Sequence, residues 1–524
     1  MPTCKKSTSL YFRPTDSKEI INTINSLKPK KSCGHDNVNT LLIKEIKFAI
    51  SSPLSIAINK SMETGVFPSK LKIAKVVPIY KSKDKQSFTN YRPISLLPSI
   101  SKIYEKIVHN RLYSFMTINS LMNKNQYGFR KGHSTINAVS KFTYDTLHAL
   151  DSGNYNLSVF LDLSKAFDTI NHSLLCKKLS HYGIRGVALE WFRSYLSERK
   201  QYVNYKCTDS KLFPITCGVP QGSVLGPLLF IIYSNDLPGS LRCTTCILFA
   251  DDTTIYISGK NITELYKLVN QDIASLSEWF KVNKLSLNIN KTHHVLFSKT
   301  KNANSDTNVL KLNNIIINRV KCVKFLGLQI DENLNWHEHI DSCRSKLSSG
   351  LYALNKIKHI LSTNNMRTLY HSLIYPYLTY GTLLWGCSHS TYLRRLEILQ
   401  KKAIRTVSKS NYNAHTEPLF KKLQILKLKD IFTFQLSKIM HSFINISLPD
   451  PLMTIFTVNR NIHSHETRHL HQPHIQYRKT AFLSKTFIYQ APEAWYKLPE
   501  KIRQLRSQHS FNRSVKKFLL NENY

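Results

Sequence analysis

Two adjacent aspartates, Asp251 and Asp252, stand inside the β-forming stretch Cys246-Ile-Leu-Phe-Ala-Asp-Asp-Thr-Thr-Ile-Tyr-Ile257. The pattern reads as two short strands joined by a tight turn that carries both carboxylates. Like charges side by side at the ends of apolar strands are unfavourable unless a cation neutralises them. Carboxylate oxygens suit Mg²⁺ and Mn²⁺. An isolated Asp-Asp is most often a solvated turn, so the metal reading needs support from elsewhere. A third carboxylate, Asp162, ends the apolar run 157–161 and has the geometry of a ligand projecting from a sheet edge. It qualifies only if the fold brings its strand beside the aspartate pair. Phe167, shortly after it, could lie flat against a ribose ring. Lys81 and Arg92 sit near the ends of a Lys-rich polar loop, where flexible cations could grip a triphosphate.

Local patterns indicate what would position these groups. Residues 76–81 and 91–97 are β-like and read as a hairpin around the polar loop. Residues 157–161 read as a buried strand. Gly218-Val-Pro-Gln-Gly-Ser223 is a backbone-permissive loop, with Ser223 placed to cap a helix over the apolar segment to Leu237. Helical periodicity covers 20–29, 41–64, 103–115, 135–150 and 263–281, the second closed by Gly65. Residues 323–330 read as a strand pair, or one strand bent at Gly327. Residues 1–20 carry little pattern and read as a leader. From about residue 337 the chain is helical and basic: Leu396, Leu399, Ala403 and Val407 share one helix face, and Arg394, Arg395, Lys401, Lys402 and Arg405 occupy much of the rest. A solvated face would normally mix signs, so this one is read as tracking phosphates. Residues 511–520 form a further amphipathic stretch.

With 524 residues, 42% of them hydrophobic, the chain is globular and long enough for about three domains. Its formal net charge of +40 opposes compaction and suits a polyanion, and the 11% aromatic content supplies rings for base and sugar stacking. Nucleic acid is therefore the leading partner, ahead of a membrane surface. No apolar run approaches the length of a membrane span. The ten cysteines form no framework, which points to free thiols in a reducing compartment. Cys243-x-x-Cys246 has no second pair and reads as structural. His463, His465, His469, His471 and His474 match no zinc spacing and read as a polar or RNA-facing loop.

Asp162 with Phe167, then Pro220-Gln-Gly222, then Phe249-Ala-Asp-Asp252, in that order, resemble the signature blocks of a reverse transcriptase. The resemblance is closest to non-LTR retrotransposons of the Jockey and chicken-repeat type. Tyr91-Arg-Pro-Ile-Ser-Leu96, Gln126-Tyr-Gly-Phe-Arg130, Gly222-Ser-Val-Leu-Gly-Pro227 and the stretches 285–292, 325–327, 370–386 and 494–499 also resemble that family's ordered blocks. The resemblance implies an α+β right-hand polymerase: fingers and palm over 21–335, with an antiparallel palm sheet, a helical basic thumb over 336–445, and a helical C-terminal extension over 446–524. It implies that Asp162, Asp251 and Asp252 hold two Mg²⁺ ions, with Mn²⁺ as a substitute. Phe167 would reject a 2′-hydroxyl; Gln221 and Gly222 would line the nascent base pair; Lys81 and Arg92 would clamp the triphosphate. Lys291 would protonate the pyrophosphate. Phe325, Leu326 and Gly327 would position the primer end.

The implied activity is RNA-directed DNA polymerisation, with an RNA template, a DNA primer and target, and deoxynucleoside triphosphates as partners. The expected location is the nucleus or cytoplasm, not the secretory route. Gly34-His-Asp36 replaces the Pro-Asp-Gly-type turn usual in the family. The endonuclease domain that precedes the polymerase in full-length elements is expected to be missing. The alternatives are a decayed element product that binds RNA without polymerising, and an RNA-templated RNA polymerase, which Phe167 opposes.

Overall fold

The computed structural model describes residues 8–82, 84–299, 308–462, 472–475 and 486–521. In chain order its strands are β1 (Ile73–Tyr80), β2 (Tyr91–Leu96), β3 (Tyr155–Leu161), β4 (Arg199–Tyr205), β5 (Thr208–Asp209) and β6 (Phe213–Ile215). There follow β7 (Thr245–Phe249), β8 (Asp252–Gly259), β9 (His293–Phe297), β10 (Leu310–Leu312), β11 (Ile315–Arg319), β12 (Cys322–Phe325) and β13 (Leu328–Asp331). The chain is mixed α and β, with helices before, between and after the sheets.

The main sheet has the order β10-β11-β9-β3-β8-β7, and β3 runs antiparallel to both its neighbours. Every residue of β3 from Asn156 to Leu161 is buried. Both of its faces are covered, and its two buried polar residues pair with each other, the Ser158 hydroxyl donating to the Asn156 side-chain oxygen at 2.6 Å. Alternate side chains serve two different cores. Leu157, Val159 and Leu161 join a first core, together with Leu248, Ile255 and Leu296 from neighbouring strands. Phe160, Ile247, Tyr256, Val295 and Phe297 join a second.

Helices Ser99–Ile118, His172–His181, Gly186–Leu196, Gly226–Tyr233 and Ile262–Val282 build the first core. Helix Thr135–Asp151 begins the second, and helices His337–Ile357, Ser390–Ser408, Leu428–Ile444, Phe487–Tyr496 and Gln508–Asn521 complete it. The basic helices are therefore tied to the main sheet through an apolar layer, and Trp495 and Phe511 extend that layer into the last eighty residues.

A second sheet, β2-β1-β4-β5 with β6 also on β4, contains the expected β1–β2 hairpin. It closes at Tyr80 opposite Tyr91, whose rings lie 5.6 Å apart. β12 and β13 pair as a hairpin that turns through Leu326 and Gly327, so the strand-pair alternative holds.

Several boundaries differ from expectation. The helix read over 41–64 is two, Thr40–Glu45 and Lys47–Thr64, because Ile46 leaves helical geometry at ψ 11°. The left-handed Gly65 (φ 71°) does end the second. Ser223 is not the N-cap of the apolar helix: the helix spans Gly226–Tyr233 with Leu225 at the cap position, although the Ser223 hydroxyl still accepts from the Gly226 N–H at 3.0 Å. The chain then enters a 3₁₀ turn, Leu237–Ser240. Part of the stretch read as a leader is packed: Leu10 and Phe12 are buried, with Phe12 edge-on to Trp191 at 6.0 Å. Of the histidine cluster, His463, His465, His469 and His471 lie outside the described residues. His474 approaches the Asn459 side chain at 3.0 Å. Among the described residues, no helix is long and apolar enough to cross a membrane.

Candidate active site

The β3–β8 ladder pairs Leu161 with Thr253. One step further along each antiparallel strand brings Asp162 to Asp252, and directly opposed residues have Cβ atoms about 5 Å apart. The β7–β8 hairpin closes at Phe249 opposite Asp252, which leaves Ala250 and Asp251 as its two-residue turn. Ala250 adopts a left-handed φ of 55°, costly for a residue with a Cβ. The turn is held from outside. Residues 125–127 run beside β7, with Leu248 donating to the Asn125 carbonyl and Tyr127 donating to the Leu248 carbonyl. The side-chain oxygen of Gln126 accepts from both Ala250 N–H and Gly128 N–H.

The three carboxylates feel one another. Asp251 is raised from the usual carboxylate range by burial and then by the charge of Asp162; its own backbone N–H, Arg92 and Lys81 pull it back. Asp252 is pushed up to about 6 by desolvation, then by Asp251 and Asp162, against the pull of Lys291. In a chain of net charge +40, this is a local concentration of negative charge. It favours a bound cation, because a divalent ion would relieve the repulsion that holds the protons on. Among the described residues, no three His, Cys, Asp or Glu side chains are gathered tightly enough to enclose an ion. Asp162 instead forms an ion pair with Lys291 at 3.2 Å.

Lys291 reaches Asp162 because its segment runs alongside. Ser164 N–H donates to the Ser286 carbonyl and Asn288 N–H donates to the Asp162 carbonyl. Lys81 and Arg92, at the end of the β1–β2 hairpin, are close enough to Asp251 to lower its pKa, so the hairpin cations and the aspartate turn share one electrostatic environment.

The Phe167 ring stacks on Phe230 with centroids 4.8 Å apart and meets Phe129 edge-on at 6.3 Å. Gln221 lies beside Phe167 in space: Val219 N–H donates to the Phe167 carbonyl, and the Gln221 amide donates to Asp168. Gly222 (φ 139°) passes so close to β2 that a Cβ there would stand 2.3 Å from the Ser95 carbonyl oxygen.

The remaining expected site residues divide. Phe325 is buried against Phe142 and Phe160, so its ring is core and touches no solvent groove. Leu326 (φ 45°) and Gly327 (φ 90°) form the exposed turn, which packs against Tyr380; the Tyr380 hydroxyl donates to the Leu326 carbonyl. On the basic helices, Arg344 and Arg395 both approach Asp341 at 3.4 Å, so part of that charge is already paired.

Three supporting residues escaped the sequence reading. Gln126 belongs to the stretch 126–130 and Asp168 directly follows Phe167, but neither has a role in the sequence pattern. Glu105 is fully buried and accepts from the Val224 and Leu225 N–H groups, steadying the far end of the Gly222 loop. An acid among Ile103, Tyr104, Ile107 and Val108, on the buried face of a helix, was a readable signal.

Residues 81–330 match the family described as reverse transcriptase (RNA-dependent DNA polymerase). Three fly proteins from Drosophila melanogaster are similar over most of the chain. The probable RNA-directed DNA polymerase from transposon BS is 30% identical over 435 residues, 80% of this chain and 47% of its own length. The RNA-directed DNA polymerase from mobile element jockey is 28% identical over 482 residues, 89% of this chain and 52% of its own. The probable RNA-directed DNA polymerase from transposon X-element is 27% identical over 434 residues, 80% and 46%. The chain thus spans about half the length of the curated relatives it matches. Both strands that bear the aspartates, and the hairpin that bears Lys81 and Arg92, fall within or at the edge of the matched residues: residues 81–330 form a reverse transcriptase (RNA-dependent DNA polymerase) domain, and the proteins similar to the chain around it are those of non-LTR retrotransposons.

Proposed function

We propose that this chain is an RNA-directed DNA polymerase that extends the 3′-hydroxyl of a DNA primer on an RNA template, using deoxynucleoside triphosphates. The observation that carries the reading is the Leu161–Thr253 register, which leads Asp162 to the Asp251–Asp252 turn, together with the raised pKa values of the pair. In this reading Asp162, Asp251 and Asp252 would hold two Mg²⁺ ions by drawing closer together than they stand here, with Asp162 released from Lys291; the ions would supply Lewis-acid activation of the hydroxyl and neutralise the triphosphate. Lys81 and Arg92 bind the triphosphate from the hairpin side. Phe167 offers a flat, Phe230-backed ring against the sugar and leaves no room for a 2′-hydroxyl. Gln221 and Gly222 lie under the nascent base pair. Lys291 carries a proton toward the departing pyrophosphate, and the Leu326–Gly327 turn orients the primer end.

The architecture fits a right hand, with the β1–β2 sheet as fingers, the main sheet as palm, the basic helices of 336–445 as thumb, and 446–524 as an extension of the thumb core. The +40 charge supports template and primer as polyanionic partners.

Primer extension on poly(rA)/oligo(dT) with Mg²⁺ tests the proposal. Incorporation that disappears in Asp251→Asn, while RNA binding stays within about twofold, supports the enzyme. A protein that only binds RNA would score in the binding arm and leave both extension lanes blank. Equal incorporation by wild type and variant would end the proposal.

A further inference from the structure

Asp168 stands outside the aspartate cluster, and both of its carboxylate oxygens accept from Gln221 Nε2, each at 2.9 Å. A carboxylate can only accept, so the chemistry of the pair fixes which end of the Gln221 amide faces it. The NH₂ group therefore faces Asp168, and the side-chain carbonyl oxygen takes the other arm of the amide.

The backbone around this pair is secured without the carboxylate. Gly218 N–H donates to the Ile170 carbonyl and Val219 N–H to the Phe167 carbonyl, both at 2.8 Å. His172 Nε2 donates to the Gly218 carbonyl at 2.7 Å. Cys217 Sγ donates to the Asp168 carbonyl at 3.4 Å. Gly218 lies so close that a Cβ would stand 2.6 Å from that same carbonyl oxygen. Ser95 N–H donates to the Gln221 carbonyl. With the loop held by so many backbone links, the side-chain bond is left with one distinct task, the orientation of an amide.

We infer that Asp168 is a positioning residue that locks the Gln221 carboxamide so that position 221 presents a hydrogen-bond acceptor, and not a donor, to the incoming nucleotide. The inference rests on the polymerase reading above. An amide free to rotate would offer its NH₂ group part of the time and would be mismatched to the donor on the nucleotide it meets.

The test is a double-mutant cycle with Asp168→Asn and Gln221→Ala, read as kcat and KM for dTTP on poly(rA)/oligo(dT). Asn is nearly isosteric with Asp but both donates and accepts, so it permits either amide orientation. Asp168→Asn is expected to raise KM roughly three- to tenfold with kcat within about twofold. In the Gln221→Ala background the same change should move KM by less than about twofold, since Asp168 acts only through the missing amide. An equal rise in both backgrounds, or a fall confined to kcat, overturns the inference. Thermal midpoints of the same four proteins give a readout that needs no turnover: the two substitutions should be non-additive, and additive shifts would also overturn it. A wild type that extends no primer while its melting cycle remains coupled counts against the polymerase reading and leaves the amide lock standing.

Discussion

The side-chain oxygen of Gln126 accepts the backbone N–H of Ala250 at 3.1 Å, and so braces from a neighbouring segment the turn that presents Asp251. Gln126 is itself buried. Because Ala250 is left-handed, the turn would relax if that brace were removed, and the buried N–H would lose its partner. Gln126→Leu is expected to cost about 1–3 kcal/mol of stability. It should also lower kcat for primer extension by at least about tenfold, since a carboxylate displaced by an ångström loses its alignment. Gly128→Ala should act on the same turn sterically, because its Cβ would meet Ala250 N at 2.3 Å. Thermal melts and extension rates of both variants check this. Wild-type kinetics in Gln126→Leu would show that the turn holds itself.

Gly222 has a requirement that no other residue meets. Its φ of 139° is reached freely only by glycine, and an added Cβ would press on the Ser95 carbonyl oxygen at 2.3 Å, a backbone atom that cannot swing aside. Gly222→Ala is expected to destabilise by about 2 kcal/mol or more, or to push the loop off β2 and raise KM for nucleotide. Melting together with nucleotide titration separates the two outcomes, and a variant unchanged in both would contradict the close approach.

These cases show which parts of the site the sequence could reveal. Asp162, the Asp251–Asp252 turn and the β1–β2 hairpin were legible because each is local: a strand pattern followed by an acid, or two strand patterns around a polar loop. The β3 run was legible as a buried strand because two cores cover its two faces. Gln126 to Ala250, Asp168 to Gln221 and Glu105 to Val224 are side-chain links between segments far apart in the chain, and they leave no periodic trace. The same holds for Leu10 and Phe12, which are buried without belonging to any amphipathic element. Phe325 was misleading in the other direction, since an aromatic in a functional block turned out to fill the core behind it.

The raised carboxylates give two pH dependences of opposite sign. Asp252 titrates near 6 in the folded, metal-free protein and near the ordinary Asp value when unfolded. A raised acid costs stability while ionised, so the metal-free protein should gain stability from this group as pH falls through about 6 toward about 4. Asp251 contributes in the same direction. Metal binding needs the ionised forms, so the Mg²⁺ concentration for half-maximal extension should rise over the same fall in pH. Melting curves without metal and Mg²⁺ titrations from about pH 8 down to about pH 5 test both arms. An Mg²⁺ requirement independent of pH would mean that these carboxylates do not bind the ion.

Phe167 is half-buried, with Phe230 behind it. Removing the ring should open space at the sugar and also cost packing. Phe167→Ala is expected to admit ribonucleotides, reducing the ratio of kcat/KM for dTTP over UTP by about tenfold or more, with a stability loss of about 1–3 kcal/mol. Competition between the two nucleotides measures the ratio directly. Unchanged sugar discrimination in a folded variant would refute the assignment.

Lys291 has one observed contact and one proposed role, and one substitution can separate them. Its ion pair with Asp162, at 3.2 Å, occupies an oxygen that a metal ion would need, but both groups are well solvated, with side chains 55% and 33% exposed. Such a pair contributes less than about 1 kcal/mol. Replacing the lysine should therefore ease Mg²⁺ binding by no more than about fivefold. As the proton carrier for pyrophosphate, the same lysine should matter far more to turnover, since general acid catalysis is commonly worth about 10²-fold or more. Lys291→Met is thus expected to lower kcat strongly while lowering, not raising, the Mg²⁺ concentration at half-maximal rate. A higher Mg²⁺ requirement would show instead that Lys291 keeps Asp162 in place for the ion. An unchanged kcat would remove Lys291 from the chemistry and leave it as a surface counter-charge.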